Sequence, residues 1–114
     1  MMVTYRGQSV TIPHVLIDTG SGGTVVETDW LLSVGILEAD PLDRWVQIVG
    51  IGGAESLREK QVTVTVGAMT IPDFPIQIGA LDYGYGINAI IGFNLLTALD
   101  AVGDCRGLTL TIPD

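Results

Sequence analysis

The chain has 114 residues, 47% hydrophobic and 16% charged, which suits one folded domain over 1–114 and excludes disorder. Its formal net charge is −8, with five Lys and Arg against thirteen Asp and Glu, so it offers no basic face to nucleic acid or to an anionic membrane. No apolar stretch approaches the roughly 20 residues that cross a bilayer, and one cysteine, Cys105, allows no internal disulfide.

Residues 1–6 show no charged region followed by an apolar one, so no signal peptide is read and a cytoplasmic setting is favoured. Residues 3–6 and 9–17 are strand-like, separated by a turn at Gly7-Gln8. Pro13 makes the second an edge strand or bends it there. His14, the only histidine, reads as a partly exposed strand residue. No ligand cluster surrounds it, so the sequence implies neither a metal nor a cofactor. After a glycine-rich turn, 24–26 is a short β-branched strand. Thr28 or Asp29 caps a short helix over 30–34, which Gly35 ends. Residues 38–43 are polar, include Pro41 and read as a loop.

Residues 45–49 form a strand running into Gly50-Ile51-Gly52-Gly53, and another strand begins near Leu57. The pair reads as a hairpin with a glycine-rich tip. Residues 62–66 alternate Val and Thr, which implies one buried and one wetter face. Gly67-Ala68 turns the chain into 69–71, Pro72-Asp73-Phe74-Pro75 interrupts it, and 76–78 resumes a strand. Residues 81–86 are a loop in which Tyr83 and Tyr85 either flank a cleft or cover the loop. Ala89-Ile90-Ile91 is a short buried strand ended by Gly92. Residues 93–102 read as a helix, with Leu95, Leu96, Leu99 and Val102 at helical spacing and Gly103 as its stop. Residues 108–112 form a final strand. Trp30 and Trp45 read as packing residues. Cys105, with no nearby His, reads as an inert small hydrophobe. Glu55, Glu59, Asp100 and Asp104 read as solvated.

Asp18-Thr19-Gly20 carries the chemistry. The triplet ends the apolar run Val15-Leu16-Ile17 and leads into Ser21-Gly22-Gly23. A carboxylate placed where a buried strand breaks into a tight turn is held rigidly, and the small residues after it let a second backbone approach. Alone the triplet is a weak signal, expected by chance in roughly one chain in fifty of this length. It also fits a turn aspartate capping its own loop. Likewise the tip at 50–53 alone fits an ordinary β-turn. Their order adds weight: triplet, glycine-tipped hairpin, Ile90-Ile91-Gly92, helix, final strand.

In that order the chain resembles the retropepsins, the single-domain aspartic peptidases of retroviruses and of their cellular and bacterial relatives. The match rests on Leu16-Ile17-Asp18-Thr19-Gly20-Ser21, Thr24-Val25-Val26, Val49-Gly50-Ile51-Gly52-Gly53 and Ile90-Ile91-Gly92-Phe93-Asn94-Leu95-Leu96. The resemblance implies an all-β acid protease fold: closed, barrel-like sheets, a flap hairpin and one short C-terminal helix, working as a homodimer. Each subunit would supply Asp18, with Thr19 bracing the two active-site loops and Gly20 admitting substrate backbone. Ser21, Gly22, Gly23 and Val25 would line the cleft. Ile51, Gly52 and Gly53 would form the flap tip, and Ile87, Asn88 and Ile90 the far wall. Leu16, Val25, Ile48, Ile51 and Ile90 would make the cleft apolar. The implied partners are a polypeptide substrate and a second copy, with no nucleic acid and no membrane contact. The alternative is a peptide-binding or dimerisation module of the same fold with little peptidase activity.

The chain departs from the retroviral pattern at Gly22, Gly23 and Phe93. Retroviral members carry acidic residues at the first positions and an Arg after Ile-Ile-Gly. Residues 28–44 are longer and more helical than in the viral enzymes, and 103–114 are longer than the viral tail.

Overall fold

The computed structural model describes residues 1–36, 40–50, 53–81 and 86–113. They are mostly β, with few helices, and the main sheet curls into a half-barrel. Its strands are β1 (Met2–Tyr5), β2 (Gln8–Thr11), β3 (Val15–Ile17), β4 (Val25–Glu27), β5 (Arg44–Gly50), β6 (Gly53–Val66), β7 (Met69–Gly79) and β8 (Ala89–Ile91). They lie in the order β2-β1-β6-β7-β4-β8-β3, with β5 also paired to β6. Strands β9 (Val102–Asp104) and β10 (Thr109–Thr111) form a separate antiparallel pair. The helices are α1 (Thr28–Leu31), continued by one 3-10 turn over Leu32–Val34, and α2 (Phe93–Ala98).

β6 is the spine. Its first half pairs with β5, and Thr63 to Thr65 pair with β1. The expected alternation holds: Val62 and Val64 enter the core, while Thr63 and Thr65 stay half-buried. β1 has β2 on one side and β6 on the other, so its backbone is already paired along both edges. The break at Pro13 is a true interruption. It splits the predicted 9–17 strand into β2 and β3, which occupy opposite edges of the sheet. His14 sits in that break with φ of 55° and is exposed, so it is not a strand residue.

Pro72 and Pro75 do not divide β7 as predicted. Val62 pairs with Phe74 and Val64 with Ile71, so Pro72 and Asp73 together face Thr63 in a β-bulge. A bulge is one place where a sheet tolerates proline. Asp73, with φ of 50°, takes the left-handed backbone there.

The predicted helix over 93–102 is shorter, closing at Ala98. The chain reverses through Asp100, φ 50°, and Val102 opens β9 instead of ending the helix. Leu95, Leu96 and Leu99 are buried as their spacing requires, against a core that includes Val26, Leu31, Ile76 and Ile91. The earlier helix starts at Thr28 itself, and Gly35, φ 86°, ends it in the left-handed conformation that favours glycine. Trp30 packs on the core as expected, but Trp45 is 64% exposed. Cys105 is exposed as well. Glu55, Asp100 and Asp104 are exposed, while Glu59 is half-buried.

Buried charge ties the entry of β5 to β6. Asp43, whose side chain is 2% exposed, accepts from Arg58 Nη1 at 2.8 Å and pairs with Lys60, which also reaches Asp40 Oδ2 at 2.8 Å. Buried ion pairs persist only when their lone pairs and protons are satisfied together, and this cluster joins residues on either side of the hairpin's base.

Candidate functional site

β8 lies between β3 and β4, parallel to the first and antiparallel to the second. The loop from Asp18 to Thr24 therefore passes over the end of β8, where Gly92 stands. Asp18 N donates to Ile91 O at 2.9 Å and Phe93 N to Ser21 O at 2.7 Å, so β8 and its continuation hold the loop at both ends. A β-carbon on residue 92 would stand 2.0 Å from Gly23 O and 2.7 Å from Ser21 O. The backbone at Gly92, φ −89°, is one that any residue adopts. Glycine is required there for space alone.

Inside the loop, Gly20 N donates to Asp18 Oδ1 at 2.9 Å and Ser21 Oγ to Gly23 O at 2.7 Å. Beneath it, Thr24 is fully buried. Its hydroxyl accepts from Gly92 N at 3.2 Å and donates to Asn94 Oδ1 at 2.9 Å, and that oxygen also accepts from Leu95 N. One hydroxyl thus joins the loop, the glycine after β8 and the first turn of α2. Thr24 and Asn94 belong to the segments singled out in the sequence, but their shared hydrogen bond spans 70 positions and has no local signature.

Asp18, Gly20, Ser21, Gly22, Gly23, Val25, Ile48 and Ile90 line one cleft of about 460 Å³. The β5–β6 hairpin walls it through Val46 to Val49, Glu55 and Leu57, and the end of β7 closes it through Gln77 and Gly79, with Leu81 just beyond that strand. Its apolar floor is a small cluster of its own, Val25, Leu57 and Ile90, with Ile48, Leu81 and Ile87 packed on it. Glu27, at the end of β4, accepts a hydrogen bond from Leu81 N and so fixes that rim. Among the described residues no side chain hydrogen-bonds to the Asp18 carboxylate, which faces the cleft with its Oδ1 held by Gly20.

Other expected site residues lie elsewhere. Thr19 is exposed and lines a second cleft of about 530 Å³, shared with Asp18 and bounded by Ile17, Leu108 and Leu110. Ile87 supports the floor without lining the cleft. Asn88 turns away, its Nδ2 donating to Pro13 O at 2.8 Å. Gly53 is exposed at the hairpin, outside the lining, and Leu16 is 41% exposed and also outside it. Ile51 and Gly52, like Tyr83 and Tyr85, fall outside the described residues.

Gln77 is one of several lining residues, with Val46, Glu55, Leu57, Gly79 and Leu81, that the sequence does not single out. Ile76 and Ile78 enter the core, so the residue between them must face the other way, into the cleft. Its Oε1 is the one buried side-chain polar atom among the described residues without a hydrogen-bond partner. Such an orphan costs about 1–3 kcal/mol.

Among the described residues no group of three or more His, Cys, Asp or Glu could hold a metal ion. No helix there is long and apolar enough to cross a membrane. The sequence matches no protein-family model, and it matches no curated protein.

Proposed function

We propose that this chain is a retropepsin-like aspartic endopeptidase that hydrolyses extended polypeptides as a homodimer. The observation that carries the reading is the Asp18 carboxylate on a loop hydrogen-bonded at both ends, held over Gly92 and opening into a cleft between that loop and the β5–β6 hairpin. Peptide hydrolysis by this route needs two carboxylates close enough to share one proton, because both cannot ionise cheaply side by side. The ionised member takes a proton from a water between them while the protonated member polarises the scissile carbonyl. Water oxygen bonds to the carbonyl carbon and gives a tetrahedral diol. Collapse of the diol breaks the C–N bond, with a proton delivered to the leaving amine. No covalent enzyme intermediate forms.

One chain carries one Asp18, so the second carboxylate comes from a second copy. Asp18 lines both clefts, and the second one is bounded by exposed apolar side chains, Ile17 and the 91% exposed Leu108. That face and the separate β9–β10 pair suit the contact between copies. β1, paired along both edges, is not available for a shared sheet. The glycines of loop 20–23 leave room for substrate backbone beside the carboxylates, and the apolar floor suits hydrophobic side chains.

The test is cleavage of a diverse peptide library by wild type and by Asp18→Asn, with sedimentation of both. Wild type should cut, optimally at roughly pH 4 to 6, and the variant should not cut while remaining folded and dimeric. Equal cleavage by the variant would end the reading. Peptide binding by a dimer that never cuts would mark a binding module of the same fold.

A further inference from the structure

We infer that Gln77 is a specificity-determining residue of the cleft, and that its carboxamide recognises an amide group of the bound peptide. The inference rests on the proposal that the cleft holds a peptide. Gln77 sits on β7 between two core isoleucines and lines the same cleft as Asp18. Its amide lies against Gly23: a β-carbon on residue 23 would stand 2.4 Å from Oε1 and 2.7 Å from Nε2. Gly23 therefore makes the space that the amide occupies. Oε1 is left without a partner, and no hydrogen bond within the protein engages Nε2 among the described residues.

Turning the amide over exchanges donor and acceptor and still leaves one polar atom unmatched. The group that satisfies both ends of a carboxamide is another amide, which offers an N–H and a C=O side by side. A peptide supplies that chemistry from its main chain or from an Asn or Gln side chain. An apolar side chain at the same place would leave the Gln77 amide unpaired in a drier site, and discrimination of this kind is strong where a built-in polar group loses its partner. The floor beside it, Val25, Leu57 and Ile90, is apolar, so Gln77 sets polarity next to that floor.

The test uses blocked octapeptides that carry Asn or Gln at a single position, each matched to the same peptide with Leu there. Binding is measured by calorimetry on Asp18→Asn protein, which removes turnover, with Gln77 intact or changed to Met. Gln77→Met keeps length and volume and removes both hydrogen-bonding atoms. The expected result is a loss of about five- to tenfold in affinity. A loss confined to the Asn and Gln peptides assigns a side-chain amide, and a uniform loss assigns the main chain. Gly23→Ala, whose β-carbon displaces the amide, should reproduce the same pattern independently. Affinities within twofold of the parent for every peptide, or no peptide binding to the parent, would overturn the inference. Cleavage of the same peptides by the wild-type chain is scored separately. Gln77-dependent binding without cleavage would sink the peptidase reading and leave this inference standing.

Discussion

Gly92 lies directly against Gly23: its missing β-carbon would stand 2.0 Å from the Gly23 carbonyl oxygen. The obstacle is backbone, not a flexible side-chain end, so an added methyl must move either the loop or β8. Gly92→Ala should therefore destabilise the fold by about 2–3 kcal/mol, the upper part of the range for overpacking. It should also displace Asp18, whose N–H is tied to Ile91. Urea unfolding checks the first effect, and an unchanged midpoint would show that the loop does not ride on this contact.

Thr24 gives a second test of the same construction. Thr24→Val keeps the shape but removes the hydroxyl that joins Gly92 N to Asn94 Oδ1. A buried N–H left without a partner costs about 1–3 kcal/mol. Thr24→Ser retains the hydroxyl and loses one methyl, so it should cost less, about 1 kcal/mol. If denaturant titration ranks the two variants the other way, the hydrogen bonds do not hold the loop.

The cluster of Asp40, Asp43, Arg58 and Lys60 predicts how stability responds to pH. The Lys60 hydrogen bond is the main cause that holds the Asp40 carboxyl below its ordinary 3.8. A carboxylate with a depressed folded-state value contributes stability above its unfolded value, and loses it as pH falls through the folded one. Burial alone would lower the Lys60 amine, but the hydrogen bonds to Asp40 and Asp43 outweigh it and raise the amine above 10.5. That contribution is complete below 10.5 and fades as pH rises through the folded value. The base of the hairpin should thus stay locked across the acidic range proposed for catalysis and weaken below it. Urea midpoints should be higher for wild type than for Asp40→Asn at pH 7 and converge at the acid end. Equal midpoints at pH 7 would remove the cluster from the account.

What could be read from the sequence was local. Asp18 at a strand end and Gly35 after a short helix each announce a turn through their own chemistry, and each turn is there; Gly92 after Ile90-Ile91 marks the end of β8, but its backbone is extended. Long-range relations were not legible. Nothing near Ile90 says that β8 lies between β3 and β4, and nothing near Asp43 says that it meets Arg58 and Lys60. Pro72 and Pro75 read as a break because a local reading cannot see that Pro72 sits in a bulge opposite Thr63 and that Pro75 keeps register with Gln61. Val102 fitted the leucine spacing of α2, yet the reversal at Asp100 carries it into β9. Gln77 was within reach, since alternation with Ile76 and Ile78 already gave its direction. Only the structure showed that its amide fills the space left by Gly23.

The central claim is that two copies of Asp18 form one site, and subunit mixing tests it most directly. Wild type and Asp18→Asn are equilibrated at fixed total concentration and assayed on one peptide. If a working site needs both carboxylates, activity should follow the square of the wild-type fraction and fall to about a quarter in an equal mixture. A linear fall, to about half, would mean that each chain works alone and would contradict the shared site.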